Sequence, residues 1–314
     1  MSTATTVPET WELTGDDARK MLIETGRRRL VKDAFARLRA ADGFSHARSL
    51  AFVTSLVLVQ GLIALVGFTT AFDLGIGHQI VLGIKSAVPG PAGELLTNAV
   101  AHARKVGVHH RYLPLLLGLV GTLITGTTAM GQMERGFNRI YGIEKDRPTA
   151  QKYGRAFVLA VGAGSGLALA FLVFALGRRS DTANAFLHYA WPWLRWPLGL
   201  AAAMLALSAL LRWSPRRHQP AWSWLMFGAS VCVAGWVLVT VALSLLLHAS
   251  SNFGTTYGPL AGIVALQLWT LFSSIAIFFG AAVAAQLEAV RAGSPQPQEH
   301  REESVARPQT SYAS

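Results

Sequence analysis

The stretch Leu50–Phe72, LAFVTSLVLVQGLIALVGFTTAF, runs for 23 residues without a charged side chain. A helix needs about 20 apolar residues to cross the hydrocarbon core of a bilayer. Lipid accepts such a segment because a helix satisfies its own backbone N–H and C=O groups. Five more apolar runs follow, at about Leu113–Met130, Ala156–Leu176, Trp191–Leu211, Ala221–Leu247 and Gly258–Leu287, with Arg195 the main interruption. The competing reading is a large soluble protein with buried helices. Six runs with almost no interior charge argue against it.

Composition agrees. Hydrophobic residues make up 52% of the 314 and charged residues 14%, where a soluble domain carries roughly 25% charged. The net charge is +11, from 28 Lys and Arg against 17 Asp and Glu. On a soluble protein that excess would suggest nucleic acid; on a membrane protein it indicates basic loops facing anionic headgroups. One cysteine, Cys232, permits no intramolecular disulfide and no cysteine-based metal cage. The polar, acidic N-terminus MSTATTVPETWELTGDD lacks the basic and apolar regions of a cleaved signal peptide.

The segments between the runs sort by charge. The N-terminal part to Ser49 holds nine Lys and Arg, Gly131–Arg155 holds six, Arg212–Pro220 three and the tail after Val290 three, 21 in all. The alternate segments hold seven. The positive-inside rule then places both termini in the cytoplasm with six spans between. Tryptophans fit this frame: Trp191, Trp193 and Trp196 mark one end of the fourth run, and Trp213, Trp222 and Trp224 flank the link to the fifth.

The expected architecture is an all-α integral membrane protein, a six-transmembrane-helix bundle with N-in/C-in topology and an N-terminal amphipathic cytoplasmic helix. Residues 1–49 form the cytoplasmic segment, 50–289 the transmembrane domain and 290–314 a disordered Pro-, Ser- and Glu-rich tail. One basic amphipathic helix is predicted over Thr14–Ala40, either lying on the inner leaflet or packed beneath the bundle. A second amphipathic helix is expected over Gly90–Gly107, in an outer loop long enough to cover the bundle's mouth.

Few residues invite chemistry. Of the nine histidines only His109 and His110 adjoin, and no H-x-H-x-D-H, H-E-x-x-H, P-loop or G-x-S-x-G pattern occurs. No cofactor, metal or nucleic acid is expected, and no catalytic residue. Gly162, Gly164 and Gly166 look like a phosphate loop on paper but sit within an apolar run, where small residues serve helix contact. Gly258-x3-Gly262 and Ala276-x3-Gly280-x3-Ala284 form similar ridges. Within the runs the ionisable residues are Arg195 at a border and Glu288 after the sixth, which disfavours a proton-coupled pump.

Three regions carry a family resemblance. SHARSLAFVTSLVLVQGLIALVGF, GQMERGFNRIYGI and TYGPLAGIVALQLWTLFSSIAIFFGAA resemble the signature regions of the YihY/BrkB membrane family, formerly mislabelled ribonuclease BN. The first is most similar to its YhjD branch. The resemblance implies a six-span bacterial inner-membrane protein linked to envelope integrity and to lipid export. Its motif positions fall on Glu134, Asn138, Tyr257, Gly258 and Trp269. Two departures stand out: Gln60 where the family has proline, and Ala282 and Ala284 where it has Glu and Asn in Gly-Ala-Glu-x-Asn. Glu134 and Asn138, four apart, share a helix face; they either tie the second helix to a neighbour or form part of a cytoplasmic gate. A lipid mover and a channel or transporter for a small solute remain the two functional classes, with membrane lipids and their anionic headgroups as partners.

Overall fold

The computed structural model describes residues 3–10, 13–176, 185–249 and 259–298. These form ten helices: α1 (Gly15–Thr25), α2 (Arg27–Ala40), α3 (Gly43–Ala71), α4 (Gly77–Ala87), α5 (Gly90–His109), α6 (Leu113–Ile140), α7 (Thr149–Leu176), α8 (Ala185–Trp213), α9 (Trp222–Ala249) and α10 (Pro259–Arg291). Among the described residues there is no strand, only an isolated bridge between Ala4 and Gln298. Among the described residues, five helical segments are long and apolar enough to cross a membrane: Gly43–Ala71, Leu113–Ile140, Trp196–Trp213, Trp222–Ala249 and Leu260–Arg291. The third apolar run of the sequence lies on α7, a helix of 28 residues.

The bundle is drawn together where glycines let backbones approach. A Cβ on Gly67 of α3 or on Gly118 of α6 would collide with the backbone of the other helix, at Leu115 and Ala64 respectively. Gln60, in the position of the family's proline, accepts the Thr125 hydroxyl across the same contact at 2.8 Å. On α10, the ridge expected around Gly280 is present. A Cβ there would strike Cys232 Sγ of α9 and come within 2.7 Å of Gly228 O.

The ridge expected on α7 is not a helix contact. A Cβ added at Gly162, Gly164 or Gly166 meets nothing within 4 Å. Spacing in the sequence shows that a face is smooth, not that a neighbour lies against it. Here Gly162 and Gly166 line a trough between α7 and α8. Gly258, which begins another predicted ridge, lies outside the described residues, while Gly262 packs on Leu95 and Pro91 of α5.

Two apolar cores result. One gathers α2 with the C-terminal ends of α6 and α10, through Leu38, Phe137, Phe278 and Leu287. The other joins α4 and α5 to α3, α9 and α10, through Ile80, Ile84, Leu96, Val100, Leu266 and Trp269. The predicted helix over Gly90–Gly107 is present as α5, extended to His109 and preceded by α4. This hairpin supplies half of a core and is more than a cover.

The predicted helix over Thr14–Ala40 is two helices. Asp17 accepts the Thr14 N–H at 2.9 Å and starts α1, but Gly26, at φ +78°, breaks the chain before α2. Only glycine adopts that backbone without strain. α2 packs beneath the bundle, burying Leu30, Ala34, Arg37 and Leu38, while Val31 and Phe35 stay exposed. Trp224 also departs from expectation: it is fully buried rather than set among headgroups. Trp213 and Trp222 do pair edge to face at the α8–α9 link, at 5.5 Å.

Candidate functional site

The charged groups concentrate at the end of the bundle that carries α2. Three segments meet there: the α6 C-terminus with the turn after it, the α8–α9 link, and the last turns of α10. Each supplies groups that cannot be buried alone, because an unpaired charge out of water costs several kcal/mol.

Glu134 and Asn138 project from the last turns of α6 and both are buried. Glu134 Oε1 lies 2.7 Å from Arg147 Nη1. Arg147 also donates to Ser214 O at 3.0 Å and Pro215 O at 2.9 Å. Asn138 Nδ2 donates to Asp146 Oδ1 at 3.1 Å, and its Oδ1 accepts the Arg216 N–H at 2.8 Å. Asp146 Oδ2 meets Lys152 Nζ at 3.0 Å and Arg135 Nε at 3.3 Å. Burial works to raise the Asp146 carboxyl, but hydrogen bonds from Lys152 and Asn138 outweigh it and hold it below its ordinary value. The two α6 residues therefore pin the turn at 141–148 and the α8–α9 link onto one helix.

A second cluster was not legible as a site. Glu288, fully buried on α10, receives Arg217 Nη2 at 2.5 Å and the Thr10 hydroxyl at 2.6 Å. The Arg217 guanidinium lies 4.6 Å from the centre of the Tyr141 ring, a cation–π geometry. Burial pushes the Tyr141 phenol above its ordinary range. Arg37 of α2 donates to Gln286 Oε1 at 2.8 Å and to Thr5 O at 2.9 Å, and burial brings it down to about 10. The N-terminal segment lies over this cluster. Its Val7 N–H bonds Tyr141 O at 3.1 Å, and Pro8 O accepts Arg217 at 3.1 Å. A lone glutamate at the end of an apolar run was the only signal, since its partners stand 71 and 278 residues away.

The remaining motif positions do not join Glu134 and Asn138. Trp269 lies in the other core and donates its indole N–H to Thr240 Oγ1 of α9 at 3.1 Å. Tyr257 and Gly258 lie outside the described residues. Ala282 and Ala284 are buried apolar contacts; the polar groups of this part of α10 are Gln286 and Glu288, one turn further on. Among the described residues no three of His, Cys, Asp and Glu stand together as a metal would need.

The described residues also form concavities outside these clusters. At the hairpin end a pocket of about 510 Å³ is lined by Thr69, Thr70, Asp73, Gly77, Arg104 and Lys105. Its Asp73 is bridged by Arg111 at 2.6 Å. Between α7 and α8 runs a trough of about 780 Å³, lined by Val158, Gly162, Gly166, Ala202 and Ala206, with Arg155 and Trp213 at one end.

Known proteins place the chain. The family described as virulence factor BrkB matches residues 34–305. The chain is 25% identical over 266 residues to YfkH of Bacillus subtilis (strain 168), named a ribonuclease-like protein, which covers 82% of this chain and 94% of that one. It is 27% identical to a UPF0761 membrane protein of Azoarcus sp. (strain BH72), across 83% of this chain and 63% of the relative. A UPF0761 membrane protein of Delftia acidovorans is also 27% identical, across 79% and 59%. The chain thus spans about three fifths of these two longer relatives. No solved structure matches it. A family match across most of the chain and a bundle with five membrane-length apolar helices point the same way: the chain belongs to the BrkB family of membrane proteins.

Proposed function

We propose that this is a non-enzymatic, six-span protein of the bacterial cytoplasmic membrane, with both termini inside, that moves or helps move a lipid or lipid-linked molecule and so serves envelope integrity. α7 supplies the sixth span. The division of 21 Lys and Arg against seven favours the α2 end as cytoplasmic.

The α7–α8 trough carries the lipid reading. It is lined almost wholly by glycine and apolar side chains, a surface that suits chains rather than hydrated solutes. A small-solute carrier is the second reading, favoured by the pocket holding Arg104 and Lys105. The ribonuclease-like name belongs to a relative at 25% identity, and this sequence offers no His–Asp constellation for it.

Vesicles containing the purified protein separate the two readings. Labelled lipid should exchange between leaflets faster than in protein-free vesicles, with a trapped small anion retained. Anion efflux without lipid movement would reverse the choice. Topology is tested in a Cys232→Ala background. Ser86→Cys should react with an impermeant maleimide from outside intact cells. Thr149→Cys should react only after the membrane is opened. Labelling of both from the same side would remove α6 as a span.

A further inference from the structure

The trough between α7 and α8 has an amphiphile's pattern. Along its length it is lined by Val158, Gly162, Gly166, Ala202 and Ala206, and at one end by Arg155 and Trp213. The glycines leave it open, since a Cβ at either one meets nothing within 4 Å. Its volume of about 780 Å³ lies within the range of small-molecule sites, about 300–1,000 Å³.

The polar end is cationic. Arg155 is exposed and spends its Nε on Trp213 O at 3.1 Å. No carboxylate among the described residues forms a salt bridge with it, and Glu134 is engaged by Arg147. Arg212 lies close by in sequence, 5.5 Å from the centre of the Trp222 ring. Trp213 and Trp222 make the edge-to-face pair that marks a headgroup boundary.

The charge pattern selects the occupant. Neither α7 nor α8 contains an Asp or Glu; Lys152 is buried against Asp146, and the cation that lines the trough is Arg155. A second copy docking by two-fold symmetry would set this face against itself, cation toward cation. An anionic lipid matches both halves of the groove at once, its chain along the small residues and its headgroup at Arg155. We infer that the α7–α8 trough is a binding site for one anionic lipid, with Arg155 reading the headgroup charge. This rests on the lipid reading of function and locates where that lipid is held.

The test uses the full chain in detergent, titrated with phosphatidylglycerol or phosphatidylcholine and read by native mass spectrometry. One phosphatidylglycerol should be kept about fivefold more tightly than phosphatidylcholine, the preference one cation near a headgroup confers. Arg155→Gln should bring the ratio close to one. Gly162→Leu/Gly166→Leu should lower retention of both lipids several-fold while the thermal midpoint holds, because the added side chains enter open space. Unchanged retention in the filled variant, or an unchanged ratio in Arg155→Gln, would overturn the site. So would a disulfide-linked dimer of Gly166→Cys in a Cys232→Ala background at low protein-to-lipid ratio, since a second copy would then occupy the trough. Lipid exchange in vesicles that persists in the filled variant sinks this site and leaves the functional reading standing. Bound lipid without exchange does the reverse.

Discussion

Glycine behaves oppositely in two parts of this bundle. At the α3–α6 and α9–α10 crossings, Gly67, Gly118 and Gly280 sit where a neighbouring helix would collide with any Cβ. On α7, Gly162, Gly164 and Gly166 face open space. The polar groups divide the same way. The closed part ends in interlocked ion pairs, Glu134 with Arg147 and Glu288 with Arg217. The open part ends in Arg155, which forms no salt bridge among the described residues. One region has its energy in mutual packing and pairing. The other has surface left to satisfy with something outside the chain.

The largest expected effect breaks the closed side. Glu288→Ala strands Arg217, whose side chain is 2% exposed. Removing one partner of a buried pair costs about 3–5 kcal/mol. The variant should lose most of its folded yield in detergent, or its thermal midpoint should fall steeply, as read by size-exclusion chromatography after heating. Arg217→Leu/Glu288→Leu should recover much of the loss, because two matched apolar groups leave no orphan charge. A single variant as stable as the parent would show that water, not Arg217, satisfies Glu288.

Next in size is Gly67→Ala. Its Cβ meets the Leu115 backbone rather than the end of a flexible side chain, so relief requires the helices to separate. Overpacking of this kind costs about 1–3 kcal/mol. A midpoint within error of the parent would mean that α3 and α6 sit further apart than described.

Much of this was legible in the sequence, and the limits are physical. An uncharged run such as Leu50–Phe72 can only be a helix in lipid, so α3 follows from composition alone; it begins earlier, at Gly43, because helix and hydrocarbon boundaries need not coincide. The break at Gly26 was hidden because an amphipathic pattern continues on both sides of it. Whether a glycine stripe is a contact depends on another helix, which is why Gly280 met expectation and Gly162 did not. At the candidate site, the Glu134–Asn138 face was readable from spacing, while the partners Arg147, Asp146 and Arg216 that meet it come from the following turn and the α8–α9 link. Glu288 was visible, but its partners Thr10 and Arg217 are brought to it only by the fold. Trp224 shows the same limit: its type suits the headgroup layer, and its burial follows from neighbours that the local sequence does not name.

A smaller effect comes with acid. Asp146 is held below its ordinary carboxyl value by Lys152 and Asn138, against burial. A group lowered in the folded state contributes stability above its unfolded value, 3.8, and that contribution is lost as pH falls through the folded value. The stability gap between the parent and Asp146→Asn should therefore be constant near neutrality and should close below pH about 4. A gap that stayed open in acid would assign the difference to hydrogen-bond geometry rather than charge.

The smallest effect has the opposite sign and bears most directly on the contrast between the two regions. Gly162→Ala places a Cβ in open space on a helix. Alanine is favoured over glycine within a helix by about 0.5–1 kcal/mol, because glycine loses more backbone freedom on folding. With no neighbour to strike, nothing opposes that gain. The thermal midpoint of Gly162→Ala should equal or slightly exceed the parent's, while the same substitution at Gly67 or Gly280 lowers it. Measured in one detergent, the three variants compare the same chemical change against a filled and an unfilled surface. A loss at Gly162 equal to that at Gly67 would mean that the trough is closed by packing within the chain, and no room would remain there for a lipid.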